Sequence, residues 1–337
     1  MFTGEENLQL LTTPKRIVIT THHKPDGDAL GSSLGLYHFL KKYNHTVHVV
    51  VSSDFPSFLD CMPGREEVII YPEQPALTGE LLAEADIIFC LDYSALSRTN
   101  VLEPLIANAK GQKWMIDHHL DPENFADLVY WDSNAAATAQ LIYTFIDDVL
   151  KGGEKIDAAI ATCLYTGIMT DTGSFRFRNT TSAVHHIIAS LIDADTKNWE
   201  IHEQIYNSSS ERRLKFLGYA LLNCLEVIPE YNTAYFAISK EDLSKFEIST
   251  GDTEGLVNYA LSIKGIRLAA LIIDRSELIK LSLRSIGEIP CNEICKKYFS
   301  GGGHLNASGG SSSSDLNTVV NLFKSILPDY KEILTRK

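Results

Sequence analysis

Residues 16–29, R-I-V-I-T-T-H-H-K-P-D-G-D-A, join an apolar run to a loop rich in acid and imidazole groups. The β-branched run 16–21 predicts a strand, and the proline and glycine that follow predict a turn. We therefore expect His22, Asp26 and Asp28 at the carboxyl end of that strand, where open α/β sheets bind their ligands. A solvated turn is the alternative interpretation, because P-D-G-D consists of ordinary turn residues.

Strand and helix patterns alternate through the rest of the first half. Apolar runs typical of buried parallel strands cover 45–52, 67–70, 86–92 and 113–117. Helical patterns cover 29–43, 77–84, 101–110, 134–150 and 156–169. This alternation predicts an α/β fold with a mostly parallel sheet and helices on both of its faces.

The pattern changes after a polar, largely helical stretch at 203–216, so we expect a domain boundary between about 195 and 225. The second half predicts a smaller mixed sheet. Its expected strands are CLEVIP (224–229), TAYFAIS (233–239), IRLAALIID (266–274) and LIKLSLRS (278–285). Its expected helices cover 251–262, 290–299 and 315–327. The serine run at 311–314 could form an edge strand.

Composition narrows the class of protein. The chain has 337 residues, enough for about two domains, and a net charge of −13. An acidic surface argues against a protein that coats long nucleic acid, because counterion release requires a basic one. No run approaches about 18 apolar residues, so no transmembrane helix is expected. The first eleven residues lack the basic start of a signal peptide.

The six cysteines are scattered, and most lie in apolar runs. We expect buried structural thiols rather than a disulfide framework or a zinc site. A reducing compartment, most simply the cytoplasm, follows from this expectation.

Further acid and imidazole groups come at the ends of later apolar elements. Asp92 follows one predicted strand, the run Asp117-His118-His119 ends another, and Asp171 follows the helix predicted for 156–169. A lone Asp at such a place is usually a helix cap. Because the carboxyl ends of parallel strands meet at one sheet edge, the recurrence predicts that these side chains converge.

Crowded carboxylates repel one another, so a cation must hold such a cluster together. Aspartate and histidine without thiolate suit Mn²⁺ or a similar divalent ion better than structural zinc. The number of groups is too large for one ion and about right for two. Two ions that share a carboxylate can activate water and hold a phosphoryl group in line.

A second set of candidate residues lies in the C-terminal half. Consecutive glycines at 301–303 would let backbone amides approach an anion, and His304 adds a side-chain donor. Arg284 could recognise phosphate with two hydrogen bonds. The alternative interpretation is a glycine-rich hairpin with a surface arginine.

These motifs, in this order, resemble those of the DHH phosphoesterase superfamily, and most of all the stand-alone DHH–DHHA1 oligoribonucleases (nano-RNases)/pAp phosphatases of bacteria. The matching motifs are H-x-x-P-D-G-D-A-x-G-S (22–32), Asp92, D-H-H (117–119), T-D-T-G-S-F (170–175), S-L-R-S (282–285) and G-G-G-H-x-N-A-S-G (301–309). The resemblance covers nearly the whole chain.

The resemblance implies a catalytic, metal-binding DHH domain over 1–195 with a mostly parallel sheet. This domain is followed by a helical linker over 196–225 and by a smaller α/β DHHA1 domain over 226–337, which binds substrate. It also implies an active site in the cleft between the two domains.

The resemblance further implies a role for each matching residue. One Mn²⁺ is expected on His22, Asp26 and Asp92. The other is expected on Asp28, Asp92, His118 and Asp171, with Asp92 bridging the two ions. Mg²⁺ or Co²⁺ are expected substitutes.

The remaining catalytic and substrate-binding roles follow in the same way. His119 is expected to donate to an oxygen of the scissile phosphate, and Asp117 to orient a neighbouring imidazole. Arg284, Gly301, Gly302, Gly303 and His304 are expected to hold the non-scissile phosphate or the substrate's terminus.

The activity expected from these features is cytoplasmic, Mn²⁺-dependent hydrolysis by two-metal activated hydroxide attack. The expected substrates are RNA of two to five nucleotides and 3′-phosphoadenosine 5′-phosphate (pAp), with no long duplex nucleic acid and no membrane as partner. A homodimer is an open alternative to a monomer. Alternative activities are cleavage of linear or cyclic dinucleotides and exopolyphosphatase action. A nucleotide-binding regulatory protein is the non-enzymatic alternative, and metal-dependent turnover of a phosphodiester would exclude it.

Overall fold

The computed structural model describes residues 12–249 and 251–336. The N-terminal residues on which the signal-peptide prediction depends lie outside the described residues. The chain divides into two compact units, Met1–Ser208 and Ser209–Lys337, here called the N-terminal and C-terminal units. Each unit contains a six-stranded sheet, which confirms the predicted α/β fold.

The N-terminal sheet is parallel throughout, in the order β3-β2-β1-β4-β5-β6. Its strands are β1 (Arg16–Thr20), β2 (Thr46–Val51), β3 (Val68–Ile70), β4 (Ile87–Leu91), β5 (Gln112–Asp117) and β6 (Leu128–Trp131). The sequence patterns predict the first five strands and miss β6. Because β6 is a short edge strand whose side chains alternate between half-buried and exposed, it lacks the apolar run of a central strand.

Apolar side chains cover both faces of this sheet, as predicted. In β1, Ile17 and Ile19 pack into one core while Val18 packs into another on the opposite face. The helices of the N-terminal unit are α1 (Gly27–Leu40), α2 (Pro75–Glu84), α3 (Glu103–Asn108), α4 (Thr138–Thr144), α5 (Ala158–Asp171), α6 (Ser182–Asp193) and α7 (Asn198–Tyr206). Helix α6 was not predicted. The helix expected over 134–150 begins four residues later and widens into a π-helical turn at Phe145–Val149.

Glycines allow helices α1 and α5 to pack in close contact. A Cβ atom at Gly31 would lie 2.5 Å from the Cys163 carbonyl oxygen, and one at Gly27 would lie 2.4 Å from Thr170 Oγ1. Such distances leave no room for a larger side chain at either position. The close packing brings the start of α1, which carries Asp28, next to the end of α5, which carries Asp171.

The C-terminal sheet is mixed, in the order β11-β12-β10-β9-β8-β7. Its strands are β7 (Leu225–Ile228), β8 (Thr233–Ile238), β9 (Leu268–Asp274), β10 (Ile279–Ser285), β11 (Gly302–His304) and β12 (Ala307–Ser312). Only β8 and β9 pair in parallel. The prediction of an edge strand at 311–314 was wrong: residues 311–312 end β12, which lies between β10 and β11, and the glycine run supplies the edge strand β11.

Helices cover this second sheet. They are α8 (Glu211–Asn223), α9 (Lys240–Lys245), α10 (Leu256–Leu261), α11 (Cys291–Tyr298), α12 (Leu316–Ile326) and α13 (Lys331–Thr335). The residues predicted as a linker, 196–225, contain α7 and α8, and the limits of that linker stay a prediction.

All six cysteines are free thiols, and five of them are buried as expected, while Cys61 is exposed. Burial raises the pKa of the Cys90 thiol to about 12, which keeps it protonated and unreactive. Within the described ranges, no helix has the length and apolar character needed to cross a membrane.

Candidate metal centre and active site

The strands that carry the predicted residues are neighbours in the sheet. Strand β4 lies between β1 and β5, and all three run in the same direction. His22 follows β1, Asp92 follows β4 and Asp117 ends β5. The structure therefore brings these side chains to one edge of the sheet, while Asp28 comes from the start of α1 and Asp171 from the end of α5. Asp171 is the last residue of α5, whereas the sequence pattern predicted it just beyond the helix.

Asp26 also caps the first helix. Its Oδ1 accepts hydrogen bonds from the backbone amides of Asp28 (3.0 Å) and Ala29 (3.1 Å) at the start of α1. The P-D-G-D run is therefore the N-cap and first turn of α1, with Asp28 buried, and the solvated-turn interpretation was wrong. The same Oδ1 lies 3.9 Å from His22 Nε2, so Asp26 also faces the cluster.

Asp92 lies between two histidines. Its Oδ2 is 3.5 Å from His22 Nε2, and its Oδ1 is 3.6 Å from His118 Nε2. His118 Nε2 also lies 3.4 Å from Asp171 Oδ2 and 3.8 Å from Asp28 Oδ2. The buried carboxylate of Asp92 is thus shared by two groups of side chains, each with its own imidazole.

These separations fit a bound cation. At 3.4–3.9 Å they exceed the usual 2.7–3.2 Å of a hydrogen bond. Two ligand atoms that each lie about 2.0–2.2 Å from one divalent ion are themselves roughly 3–4 Å apart. Within each of two sets, the possible ligand atoms all lie within 4.8 Å of one another: His22, Asp26 and Asp92, and Asp28, Asp92 and His118. The side chains form a candidate metal-binding cluster.

His119 is oriented by Asp117. Its Nδ1 is 2.8 Å from Asp117 Oδ1, a normal hydrogen-bond distance, and 3.6 Å from Asp92 Oδ1. The Asp117 side chain is fully buried, and its Oδ2 has no hydrogen-bond partner among the described residues. The imidazole that Asp117 contacts is therefore that of His119, and the contact fixes the plane of this ring at the edge of the cluster.

The charges of the cluster are strongly coupled. Burial, together with the charges of Asp92 and Asp171, raises the pKa of Asp28 well above its usual range. Burial also opposes ionisation of Asp92, but the imidazoles of His22, His119 and His118 lower its pKa below the usual range. For His22, burial disfavours the charged ring, yet the contacts with Asp92 and Asp26 outweigh it and raise the pKa to about 9. Because metal ligands must be deprotonated, binding of a divalent ion at this cluster would be coupled to release of protons.

Two residues that the sequence did not single out hold the carboxylates in place. The amides of Thr138 and Ala139, at the start of α4, donate to the two oxygens of Asp28 at 2.6 and 2.8 Å. Thr138 Oγ1 donates to Asp92 Oδ1 at 2.9 Å. Such contacts behind the ligands set their orientation. A threonine at the beginning of a predicted helix was the available signal, but the helix start was predicted too early.

Asp92 adopts a left-handed backbone conformation, with φ of +63°. This region is uncommon for residues other than glycine and costs conformational energy. Its amide donates to the Ile116 carbonyl on β5, which holds the backbone in that conformation. The strain is located at the residue that the two groups share.

In the C-terminal unit, Arg284 and His304 lie on one face of the sheet. Arg284 of β10 is paired with Ala307 of β12, and Ala307 is paired with His304 of β11. Directly paired residues project to the same side, so the two basic side chains flank a small alanine.

The three glycines in front of His304 differ in their surroundings. A Cβ atom at Gly301 would lie 2.0 Å from the Gly309 carbonyl oxygen, and one at Gly303 would lie 2.7 Å from the Ala307 carbonyl oxygen. A Cβ at Gly302 would meet nothing within 4 Å among the described residues. Gly301 and Gly303 are therefore needed for strand packing, and only Gly302 leaves open space beside its backbone.

The fold and this site define an α/β protein with an acid–imidazole centre at a parallel sheet edge, followed by a mixed-sheet domain. Family models match both parts of the chain. The DHH family N-terminal domain matches residues 16–168, and the DHHA1 domain matches residues 231–329.

Known proteins are similar over nearly the whole length. The bifunctional oligoribonuclease and PAP phosphatase NrnA of Thermus thermophilus is 33% identical, over 95% of this chain and 90% of its own. The protein of the same name from Bacillus subtilis is 29% identical, over 91% and 92%. The crystal structure of a Bacteroides fragilis protein described as exopolyphosphatase-related has 38% identity and a TM-score of 0.93, covering 98% of this chain and 97% of that one. This chain belongs to the DHH–DHHA1 phosphoesterase family and is a hydrolase that acts on phosphoester bonds.

Proposed function

We propose that this protein is a Mn²⁺-dependent enzyme that hydrolyses short oligoribonucleotides and pAp. The observation that carries the proposal is the position of Asp92 between two imidazoles, each of which faces further carboxylates. The names of the relatives from Thermus thermophilus and Bacillus subtilis support the choice of substrates.

The proposed metal ligands divide into two sets. His22 and Asp26 hold one ion, while Asp28, His118 and Asp171 hold the other, and Asp92 belongs to both. When bound, the two ions supply a nucleophile at neutral pH and neutralise charge on the phosphoryl group. The oxygen-rich donor set without thiolate favours Mn²⁺, with Mg²⁺ or Co²⁺ as substitutes.

The protein's own groups then position the substrate and stabilise charge. Asp117 keeps the His119 ring in one orientation through the 2.8 Å contact at Nδ1. In our proposal His119 donates a hydrogen bond from its other nitrogen to an oxygen of the scissile phosphate, where negative charge increases in the transition state. Thr138 keeps the Asp92 carboxylate in place during the reaction.

The C-terminal unit supplies the second recognition element in this proposal. Arg284, His304 and the backbone beside Gly302 bind the non-scissile phosphate. A dinucleotide or pAp carries such a second phosphate, and binding energy gained there can be used in the transition state. The proposed domain roles are catalysis in residues 1–195 and substrate binding in 226–337, joined by 196–225.

A substrate panel with Mn²⁺ tests this function. The panel contains pAp, RNA of two to five nucleotides, a longer single strand, linear and cyclic dinucleotides and polyphosphate. We expect the highest kcat/KM with pAp and the shortest RNAs, and a decline beyond about five nucleotides because the exterior is acidic. Faster hydrolysis of the long strand or of a cyclic dinucleotide would contradict the proposal.

A second candidate function is hydrolysis of polyphosphate. The description of the Bacteroides fragilis protein as exopolyphosphatase-related favours it. Polyphosphate offers adjacent phosphates to the two sets of groups but no nucleoside. Preferential release of phosphate from polyphosphate over pAp would establish this alternative. The cytoplasmic location stays a prediction of the sequence, and a homodimer stays an open alternative.

A further inference from the structure

Trp131 is exposed at the end of the edge strand β6. Side chains alternate along this strand: Leu128 and Tyr130 pack against the core, while Val129 and Trp131 are 37% and 40% exposed. A single exposed apolar residue is common on protein surfaces and needs no special explanation. The position of this tryptophan beside the active site, and its polar contact there, give it further meaning.

The indole ring of Trp131 is hydrogen-bonded to the D-H-H run at 117–119. Trp131 Nε1 donates a hydrogen bond to the backbone carbonyl oxygen of His119 at 2.7 Å. In the parallel register Trp131 is paired with Asp117, the residue that orients the His119 ring. The indole is therefore held beside the D-H-H run with its polar edge already bonded, while part of its ring stays open to solvent.

We propose that Trp131 is a stacking platform for the nucleobase of the nucleotide whose phosphate is hydrolysed. This inference rests on the proposed function, in which His119 contacts the scissile phosphate. A nucleobase is separated from its phosphate by a single sugar, so a ring beside His119 is suitably placed to meet it. Stacking accepts every base, because every base has a flat π-face, and it requires no hydrogen-bond code.

The expected consequence is a preference for nucleotides over compounds that lack a base. Base–aromatic stacking is worth about 1–3 kcal/mol, which corresponds to roughly five- to 150-fold in kcat/KM. Polyphosphate and base-free sugar phosphates would not gain this factor.

The test uses two substrates and three variants. The substrates are pAp and its abasic analogue, in which hydrogen replaces adenine. Trp131→Leu removes the ring, and Trp131→Phe keeps a ring but removes the N–H group that binds the His119 carbonyl. Trp199→Leu is the matched control, because Trp199 is 56% exposed on α7 and has no place in the proposed site.

We expect Trp131→Leu to lower kcat/KM for pAp about tenfold or more, and for the abasic analogue less than twofold. Trp131→Phe should stay within about threefold on both substrates, and Trp199→Leu should match the wild type. Equal losses on both substrates would overturn the proposal, because Trp131 would then serve only to position His119. Wild-type activity of Trp131→Leu on pAp would overturn it as well.

A binding measurement keeps the inference testable if Trp131→Leu fails to fold. With Mn²⁺ present, 5′-AMP should quench part of the tryptophan emission of the wild type, and ribose 5-phosphate should not. The quenching should disappear in Trp131→Phe and persist in Trp199→Phe. Undiminished quenching in Trp131→Phe would disprove the platform. Failure of the wild type to hydrolyse pAp or dinucleotides would instead disprove the proposed function.

Discussion

The two units hold their candidate functional groups in different ways. In the N-terminal unit Asp28, Asp92 and His118 are at most 3% exposed, and backbone amides or a hydroxyl bind the two carboxylates. In the C-terminal unit Arg284 and His304 are half-buried on the face of a sheet. Buried charges at van der Waals distance from one another need a cation, whereas half-exposed basic groups keep part of their hydration, so their charge costs less.

This difference indicates what a substitution should do in each unit. Removing a buried, shared carboxylate takes away a proposed ligand of both ions, so it should affect every substrate alike. Removing a half-exposed arginine takes away one proposed recognition contact, so it should affect only substrates that offer a partner for it. The variants below test this distinction, beginning with the one expected to have the largest effect.

Asp92→Ala should abolish turnover with Mn²⁺ and leave the fold intact, because both sets of proposed ligands lose their shared member. Rates on pAp and thermal unfolding of the metal-free protein check this. Asp86→Asn is the matched control at the opposite end of β4, where Asp86 Oδ2 accepts a hydrogen bond from the Arg16 amide. Activity of Asp92→Ala within tenfold of the wild type would contradict the two-metal assignment.

His118→Ala and His119→Ala should separate metal binding from phosphate contact. We expect His118→Ala to lose bound metal, and His119→Ala to keep two ions while kcat falls by about 10²–10³. Metal content after gel filtration and steady-state rates measure the two effects. Loss of an ion from His119→Ala, with both retained in His118→Ala, would show that the roles are reversed.

Arg284→Ala should harm pAp and dinucleotide hydrolysis about ten- to a hundredfold, because a charge-assisted hydrogen bond is worth roughly 1.5–3 kcal/mol. Hydrolysis of a small aryl phosphodiester, which lacks the second phosphate, should change little. Lys280→Ala offers a control on the same strand, since Lys280 is exposed and an even number of residues away. Equal losses on both substrates would mean that Arg284 supports the fold or the metal centre instead.

Substitutions of the glycines should have the smallest effects on activity, and they distinguish strand packing from phosphate binding within the C-terminal unit. Gly301→Ala would force a Cβ against the Gly309 carbonyl, so we expect a loss of about 1–3 kcal/mol in the free energy of unfolding. Gly302→Ala has space for its methyl group and should leave stability nearly unchanged while raising KM for pAp a few-fold. Denaturant unfolding and KM values measure both. An unchanged KM in a stable Gly302→Ala variant would remove that glycine from the phosphate site.

Much of the fold was predictable because local patterns carry it. Buried parallel strands produce short apolar runs. A run that ends in Asp or His predicts a carboxylate or imidazole at the carboxyl edge of the sheet. The structure confirms β1 through β5 and the mixed sheet of the C-terminal unit on this basis. The motifs from His22 to Gly309 indicate the family from the sequence alone.

Contacts between distant segments had no such local signal. Asp171 reaches the cluster because glycines at 27 and 31 allow helices α1 and α5 to touch, and Thr138 reaches Asp92 from an element 46 residues away. The half-exposed edge strand β6 has no apolar run that would predict it, so only the structure shows that Trp131 bonds to the His119 carbonyl.

The sequence by itself determined which residue types gather at the edge of the sheet, since strand ends and turn residues are local properties. Tertiary structure decided how those groups are held. It decided that each oxygen of Asp92 faces a different histidine and that backbone amides bind Asp28. It also placed an alanine between Arg284 and His304. The physical reason is that the orientation of a side chain depends on packing and strand pairing between segments that are distant in sequence. No periodic pattern in the sequence marks such contacts.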